Sequence, residues 1–276
     1  MRTRDLSAAI LGLLLAACGG GPPSPPGLSY GVPDPPEVTY VRGDTARMDI
    51  DAGGQPMEAR VTADMTVRAT FARGEDGTTV TLDVQDFSAR MANPAGPPVA
   101  ADADGIKGPL VVKLDRRGHA TVISEPTLEG PARQFFETLS MAHTFFPRLP
   151  GGAAQVGSTW SDTITYEGTQ GDNDVSTALM LTYTVAGDTV VDGRSLVKIT
   201  MGGTTQQSAE GIIAGMDFIQ DLNGTVEGWV LWDVGRHLMV ESETRGDLRG
   251  EMEVSAAPFP LGIRMRTVSR VKALER

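Results

Sequence analysis

The chain has 276 residues, 40% of them hydrophobic and 21% charged, with a formal net charge of −11, which is enough for one large β domain or two small ones. Thirty-three glycines and 18 prolines against 5% aromatic residues favour β structure with many corners. The acidic balance excludes a nucleic-acid partner, which needs a basic footprint, and gives no attraction to anionic lipid headgroups.

In chain order, Arg2 and Arg4 precede the short apolar run Leu6–Leu15, too short to cross a bilayer. Leu15-Ala16-Ala17-Cys18 follows, and Cys18 is the only cysteine of the chain. This quartet resembles the lipobox of bacterial lipoproteins. The resemblance implies a signal peptide, 1–17, cleaved before Cys18, and lipidation of Cys18, so that the partner at this end is the membrane. Several acyl chains at about 0.8 kcal/mol per buried methylene anchor a protein stably. Gly19 in place of an aspartate implies the outer membrane, facing the periplasm. The Gly/Pro-rich stretch to residue 37 reads as an extended tether, 18–37, ahead of a single β-rich domain, 38–276.

Beyond Glu37 the chain reads as strands over 38–50, 57–72, 78–91, 110–114, 120–124, 158–166, 175–186, 194–205, 224–233, 238–254 and 263–273. Ala59–Phe71 alternates without a break. Ala59, Val61, Ala63, Met65, Val67, Ala69 and Phe71 fall on one face and Arg60, Thr62, Asp64, Thr66, Arg68 and Thr70 on the other, over roughly 40 Å. After Gly77 the apolar phase switches from Val80, Leu82 and Val84 to Phe87, Ala89 and Met91, which predicts a β-bulge near Gln85–Asp86.

Residues 131–146 carry Phe135, Phe136, Leu139, Ala142, Phe145 and Phe146 at helical spacing, with Pro131 at the start and Pro147 at the stop. They predict one amphipathic helix against the interior of the sheet. It reads either as a plug for the sheet or as a lid over a lipid site. Residues 112–125 (VKLDRRGHATVISE) and 230–243 (VLWDVGRHLMVESE) lie in corresponding places. They suggest an internal duplication or the monotony of β-meanders. The wet faces of 238–254 and 263–273 carry opposite charges. One register sets Glu253 against Arg264, Glu251 against Arg266, Asp247 against Arg270 and Met252 against Met265, in a hairpin that closes the sheet.

The expected fold is mainly β: a large antiparallel sheet curled into a barrel or half-barrel around the dry faces. Catalytic signals are absent. His119, His143 and His237 lack metal-ligand spacing, and no nucleophile elbow, phosphate loop or dinucleotide fingerprint is present. Asp102–Asp104 and Asp172–Asp174 lack the spacing and distal glutamate of a calcium loop and read as turns. No cofactor and no metal is expected. Val-Gly-x-x-Trp at 156–160 after a Pro-Gly-Gly loop, with the Asp-x-x-Gly hairpins, resembles uncharacterised β-rich envelope lipoproteins similar to periplasmic lipid and lipoprotein carriers. That resemblance implies a concave sheet able to hold acyl chains and no catalytic residue.

The expected function is therefore a lipid-anchored, non-enzymatic envelope protein that binds a hydrophobic ligand or a lipoprotein partner. Candidate ligand contacts are Val61, Met65, Val67, Phe71, Phe135, Phe136, Leu139, Phe145 and Phe146. The alternatives are a structural or assembly lipoprotein with a filled core, and an envelope hydrolase without a recognisable motif. A membrane-spanning barrel is disfavoured by the lipobox, by too few aromatic residues for two girdles and by wet faces too charged for one pore wall.

Overall fold

A computed structural model describes residues 27–92, 97–171, 173–191, 193–213, 215–255 and 257–274. The signal peptide and Cys18 lie outside these residues. Eleven strands form the main sheet: β1 (Glu37–Asp51), β2 (Pro56–Gly74), β3 (Gly77–Ala92), β4 (Leu110–Leu114), β5 (Ala120–Ser124), β6 (Thr159–Gln170), β7 (Asn173–Val191), β8 (Arg194–Ile213), β9 (Met216–Asp233), β10 (Leu238–Val254) and β11 (Leu261–Leu274). All are antiparallel to their neighbours, in the order β6-β7-β8-β9-β10-β11-β1-β2-β3-β4-β5. A short strand, Val99–Asp102, pairs with β3 beside β4.

The order is a meander cut in an unusual place. The last strand, β11, pairs along its length with the first, β1, with Thr39 opposite Leu274. The free edges are β5 and β6, and residues 125–158 connect them. The sheet is thus a curled half-barrel with one seam.

Alternation decides which face curls inward. The inward set of β2 is Met65, Val67, Ala69 and Phe71, all buried, while Arg60, Thr66 and Arg68 face out. The bulge lies where the phase switch predicts it: Thr66 pairs with Asp86 and Val67 with Val84, leaving Gln85 as the extra residue. Neighbouring backbones approach closely where β8, β9 and β10 carry glycines at inward positions. A Cβ on Gly250 would stand 1.8 Å from the Asp221 carbonyl oxygen, and one on Gly224 would stand 2.1 Å from that of Asp247. No side chain fits so close an approach of strands.

The hairpin of β10 and β11 forms, but it does not close the sheet, because β11 is shared with β1. Its register also differs by four residues from the expected one: Asp247 faces Arg266, Glu243 faces Arg270 and Met252 faces Leu261. An even slip keeps every dry residue inside, so alternation cannot tell the two registers apart. Packing and charge choose. Ile263 joins Phe218, Leu222, Leu248 and Met252 in a buried cluster. Arg264 reaches Asp247 at 3.0 Å, Arg270 reaches Glu243 at 2.6 Å, and Arg266 pairs with Asp49 across on β1.

One end of the half-barrel is sealed by residues 27–36 and 145–158. Gly27–Leu28 pairs with Gly152–Ala153. The Tyr30 backbone N–H donates to the Arg116 carbonyl at 3.0 Å, and its hydroxyl to that of Pro147 at 2.8 Å. The Tyr30 ring stands edge-on to Trp232, with centroids 5.0 Å apart. The expected tether is therefore shorter than 18–37: its last eleven residues, 27–37, belong to the fold, because Leu28 and Tyr30 are buried in the core at this end. Asp115 and Asp233, the matching residues of the two similar segments, both accept backbone N–H groups in turns at this end. This is turn chemistry that a repeat and an ordinary meander share.

Gly250→Ala is expected to lower stability by roughly 1–3 kcal/mol through overpacking. Gly152→Ala, where a Cβ meets nothing within 4 Å, should stay within about 0.5 kcal/mol of the parent. Urea unfolding followed by circular dichroism checks both.

Candidate functional site

The connection between the two edges carries α1 (Ala132–Phe135) and α2 (Thr138–Thr144). The single expected helix is broken at Phe136–Glu137, where ψ turns to 98° and 82°. The break lets the four phenylalanines reach different depths. Phe136 stands edge-on to Phe87 at 5.8 Å, and Phe145 edge-on to Tyr40 at 5.4 Å. Helix α2 touches β4, β5 and β6, so it fills the seam as a plug.

At the sealed end the seam is also bridged by side chains. His119 Nδ1 lies 2.7 Å from Asp115, and its Nε2 lies 2.8 Å from Asp162 on the opposite edge. Arg117 adds a looser contact with Asp162 at 3.8 Å. Burial raises the Asp115 carboxyl, but hydrogen bonds from the His119 ring and from the His119 and Arg117 backbone outweigh it and hold the carboxyl below its usual range. Tyr183, stacked on Trp160 beside this bridge, is pushed up to about 12 by burial.

Between the helices and the concave sheet lie two adjoining hollows of about 340 and 440 Å³, within the range of small-molecule sites. Val61, Met65, Phe135, Phe136, Phe145 and Phe146 of the expected contacts line the first. Val67 and Phe71 do not; they are buried deeper, with Phe71 against Phe146 at 6.0 Å. Leu139 lines the second hollow and packs on Gly168, where a Cβ would come 2.6 Å from its methyl.

The wall has a polar side that the sequence reading did not single out. Arg42 and Asp44 occupy two successive inward positions of β1, between Tyr40 and Ala46. The Arg42 Nε donates to Asp44 Oδ2 at 2.7 Å, while Asp44 Oδ1 is buried with no partner. Ser269 and Thr244 continue this belt in register. Facing it across the hollow are Tyr166, Thr177, Thr205 and Gln207. Thr205 is only 1% exposed, and its hydroxyl has no partner.

Glu137 sits at the helix break and lines both hollows. Its side chain caps no backbone N–H. It is exposed to solvent through the hollow, with the walls packed around its other sides. That enclosure pushes its carboxyl above the ordinary glutamate range, against the pull of Arg42 and with the push of Asp44; hydrogen bonding by Ser140 and Gln170 favours its ionised form. Burial likewise raises Tyr166. His143, stacked on Tyr166 with centroids 5.6 Å apart, is lowered by burial and then by Arg148. Chemically the hollow offers an aromatic and thioether wall with hydrogen-bonding groups at its neck. Among the described residues no cluster of three histidine or acidic side chains is placed to hold a metal ion.

No family model matches the chain, and no curated protein matches it. Among solved structures, Neisserial surface protein A is 9% identical, with 85% of this chain and 96% of that one covered, at a TM-score of 0.24. An outer membrane channel from Pseudomonas putida F1 is 10% identical over 92% and 99%, at 0.29. The outer membrane protein OprD from Pseudomonas aeruginosa is 8% identical over 92% and 98%, at 0.25. Scores this low carry no argument about this chain. Its outward strand positions, such as Arg47, Asp49, Glu58, Arg68, Arg264 and Arg266, are tied in ion pairs, the wrong character for a wall facing hydrocarbon.

The raised Glu137 carboxyl has a sign that can be measured. A folded value above the unfolded one means that folding is opposed at pH above the folded value. The opposition is absent below the unfolded value, about 4.3. Glu137→Gln is therefore expected to raise the melting temperature at pH 8, with the gain vanishing as the pH approaches 4. Thermal melts across that range check it.

Proposed function

We propose that this is a lipid-anchored protein of the cell envelope, held through Cys18, whose half-barrel binds a hydrophobic small molecule on its concave face. The observation that carries the reading is the pair of hollows between the helices and the sheet, walled by Met65, Phe87, Phe136, Met141 and Met201. Methionine and phenylalanine together make an adaptable apolar wall. The charged outer face supports a water-exposed domain that reaches the membrane only through its anchor. The reading is of a binder and not a catalyst, because the groups facing the hollow are hydrogen-bond donors and acceptors without a paired nucleophile and base. The outer membrane, on its periplasmic side, is the proposed location, on the strength of Gly19 after Cys18.

The narrow end, filled by Tyr40, Trp232, Leu238 and Leu149, favours a second reading: a structural or assembly lipoprotein with a protein partner.

Native mass spectrometry of protein purified gently from bacterial envelopes is expected to show a co-purifying molecule that solvent extraction releases. Ala63→Phe, which fills the hollow from β2, should reduce its occupancy severalfold. Bare protein at its calculated mass, with no uptake of added lipid, would move the reading to the structural one. Cys18→Ser is expected to shift the chain from the membrane fraction to the soluble one, read by fractionation and intact mass.

A further inference from the structure

The polar neck has an excess of acceptors. Two carboxyl groups, Asp44 and Glu137, line the hollow with two guanidiniums, Arg42 and Arg245; Arg245 is committed to Glu243 at 2.8 Å, and Arg42 and Asp44 both act electrostatically on Glu137. Arg42 is committed to one oxygen of Asp44 at 2.7 Å, which leaves Asp44 Oδ1 buried and unpartnered. A second, independent observation points the same way. Thr205, 1% exposed and on the wall of the same hollow, has a hydroxyl with no hydrogen-bond partner among the described residues. A buried polar atom without a partner is costly, so such atoms mark places where a ligand or water belongs.

Resting on the reading of the hollow as a ligand site, we infer that the ligand is an amphiphile with a primary ammonium group at this neck, between Glu137 and Asp44, and an apolar tail against the phenylalanines. The chemistry follows from counting donors. An ammonium brings three N–H donors and no acceptor, matching Asp44 Oδ1, the Glu137 carboxylate and the Thr205 oxygen. A hydroxyl brings one donor and no charge. A carboxylate brings only acceptors and would meet two carboxyl groups. Enclosure, which leaves Glu137 reluctant to ionise when alone, strengthens its charge-assisted bonds once a cation is paired with it.

The test uses the full chain carrying Cys18→Ser, which needs no detergent. Dodecylamine, dodecanol and dodecanoate are titrated below their aggregation limits by isothermal calorimetry at pH 7. The expected result is one site per chain, with dodecylamine bound at least tenfold tighter than dodecanol and dodecanoate weakest. Glu137→Gln should lower dodecylamine affinity far more than dodecanol affinity and so remove most of the amine preference; a mere attraction of amines to the acidic surface would survive that substitution. Equal affinity for the three probes, tightest binding of dodecanoate, or an amine preference untouched by Glu137→Gln would overturn the inference and leave the hydrophobic site standing. Binding of none of the three would overturn both.

Discussion

Everything in this molecule depends on the need to cover one apolar face of a very large sheet. Eleven strands that alternate dry and wet residues cannot stay flat in water. With no second large sheet among the described residues to pack on it, the dry face is covered by curling the sheet onto itself. The inward glycines of β8, β9 and β10 make the curl physically available, because they let neighbouring backbones approach where any side chain would collide. The bulges at Gln85 and beside Trp232 relieve the same bend elsewhere.

Curling leaves two edges, and edges are a liability. Here each is dealt with locally. The helical connection fills the seam with Met141, Phe145 and Phe146, and His119, held by Asp115 on its own edge, reaches Asp162 on the other at the sealed end. Away from the plug the sheet buries a separate cluster of Phe218, Leu222, Leu248, Met252 and Ile263, and beside the helix break Glu137 borders the space left over. The hollow is thus a by-product of how the seam is closed: the plug is too short to fill the space the curl encloses.

The strand count and the concave face were legible in the sequence because both follow from strict alternation. The bulge was legible because a phase switch has only one structural meaning. The hairpin register was not, since a four-residue slip preserves every face and only the packing of Ile263 and the ion pairs on the wet face decide it. The extension of β8 and β9 to the pair Ile213–Met216 was missed because Gln206 to Asn223 mixes polar and apolar residues on its inward phase. That mixture signalled the hollow, not a loop. Arg42 and Asp44 carried the same signal, two charged residues on the dry phase of β1, and could have been found by asking why the alternation fails there. Glu137 could not, because it depends on a helix break that no proline or glycine announces.

The pairing of β1 with β11 also fixes the order of events in time. Thr39 is among the first residues of the domain to be made, and its sheet partner, Leu274, is among the last. Until β11 arrives, β1 has a neighbour on only one side, and Tyr30 has no Trp232 to pack on. Hairpins such as β2–β3 can form at once, but the continuous sheet is a late and long-range event, of the kind that makes folding slow. A growing chain of this design must keep a long apolar strand soluble until synthesis is complete.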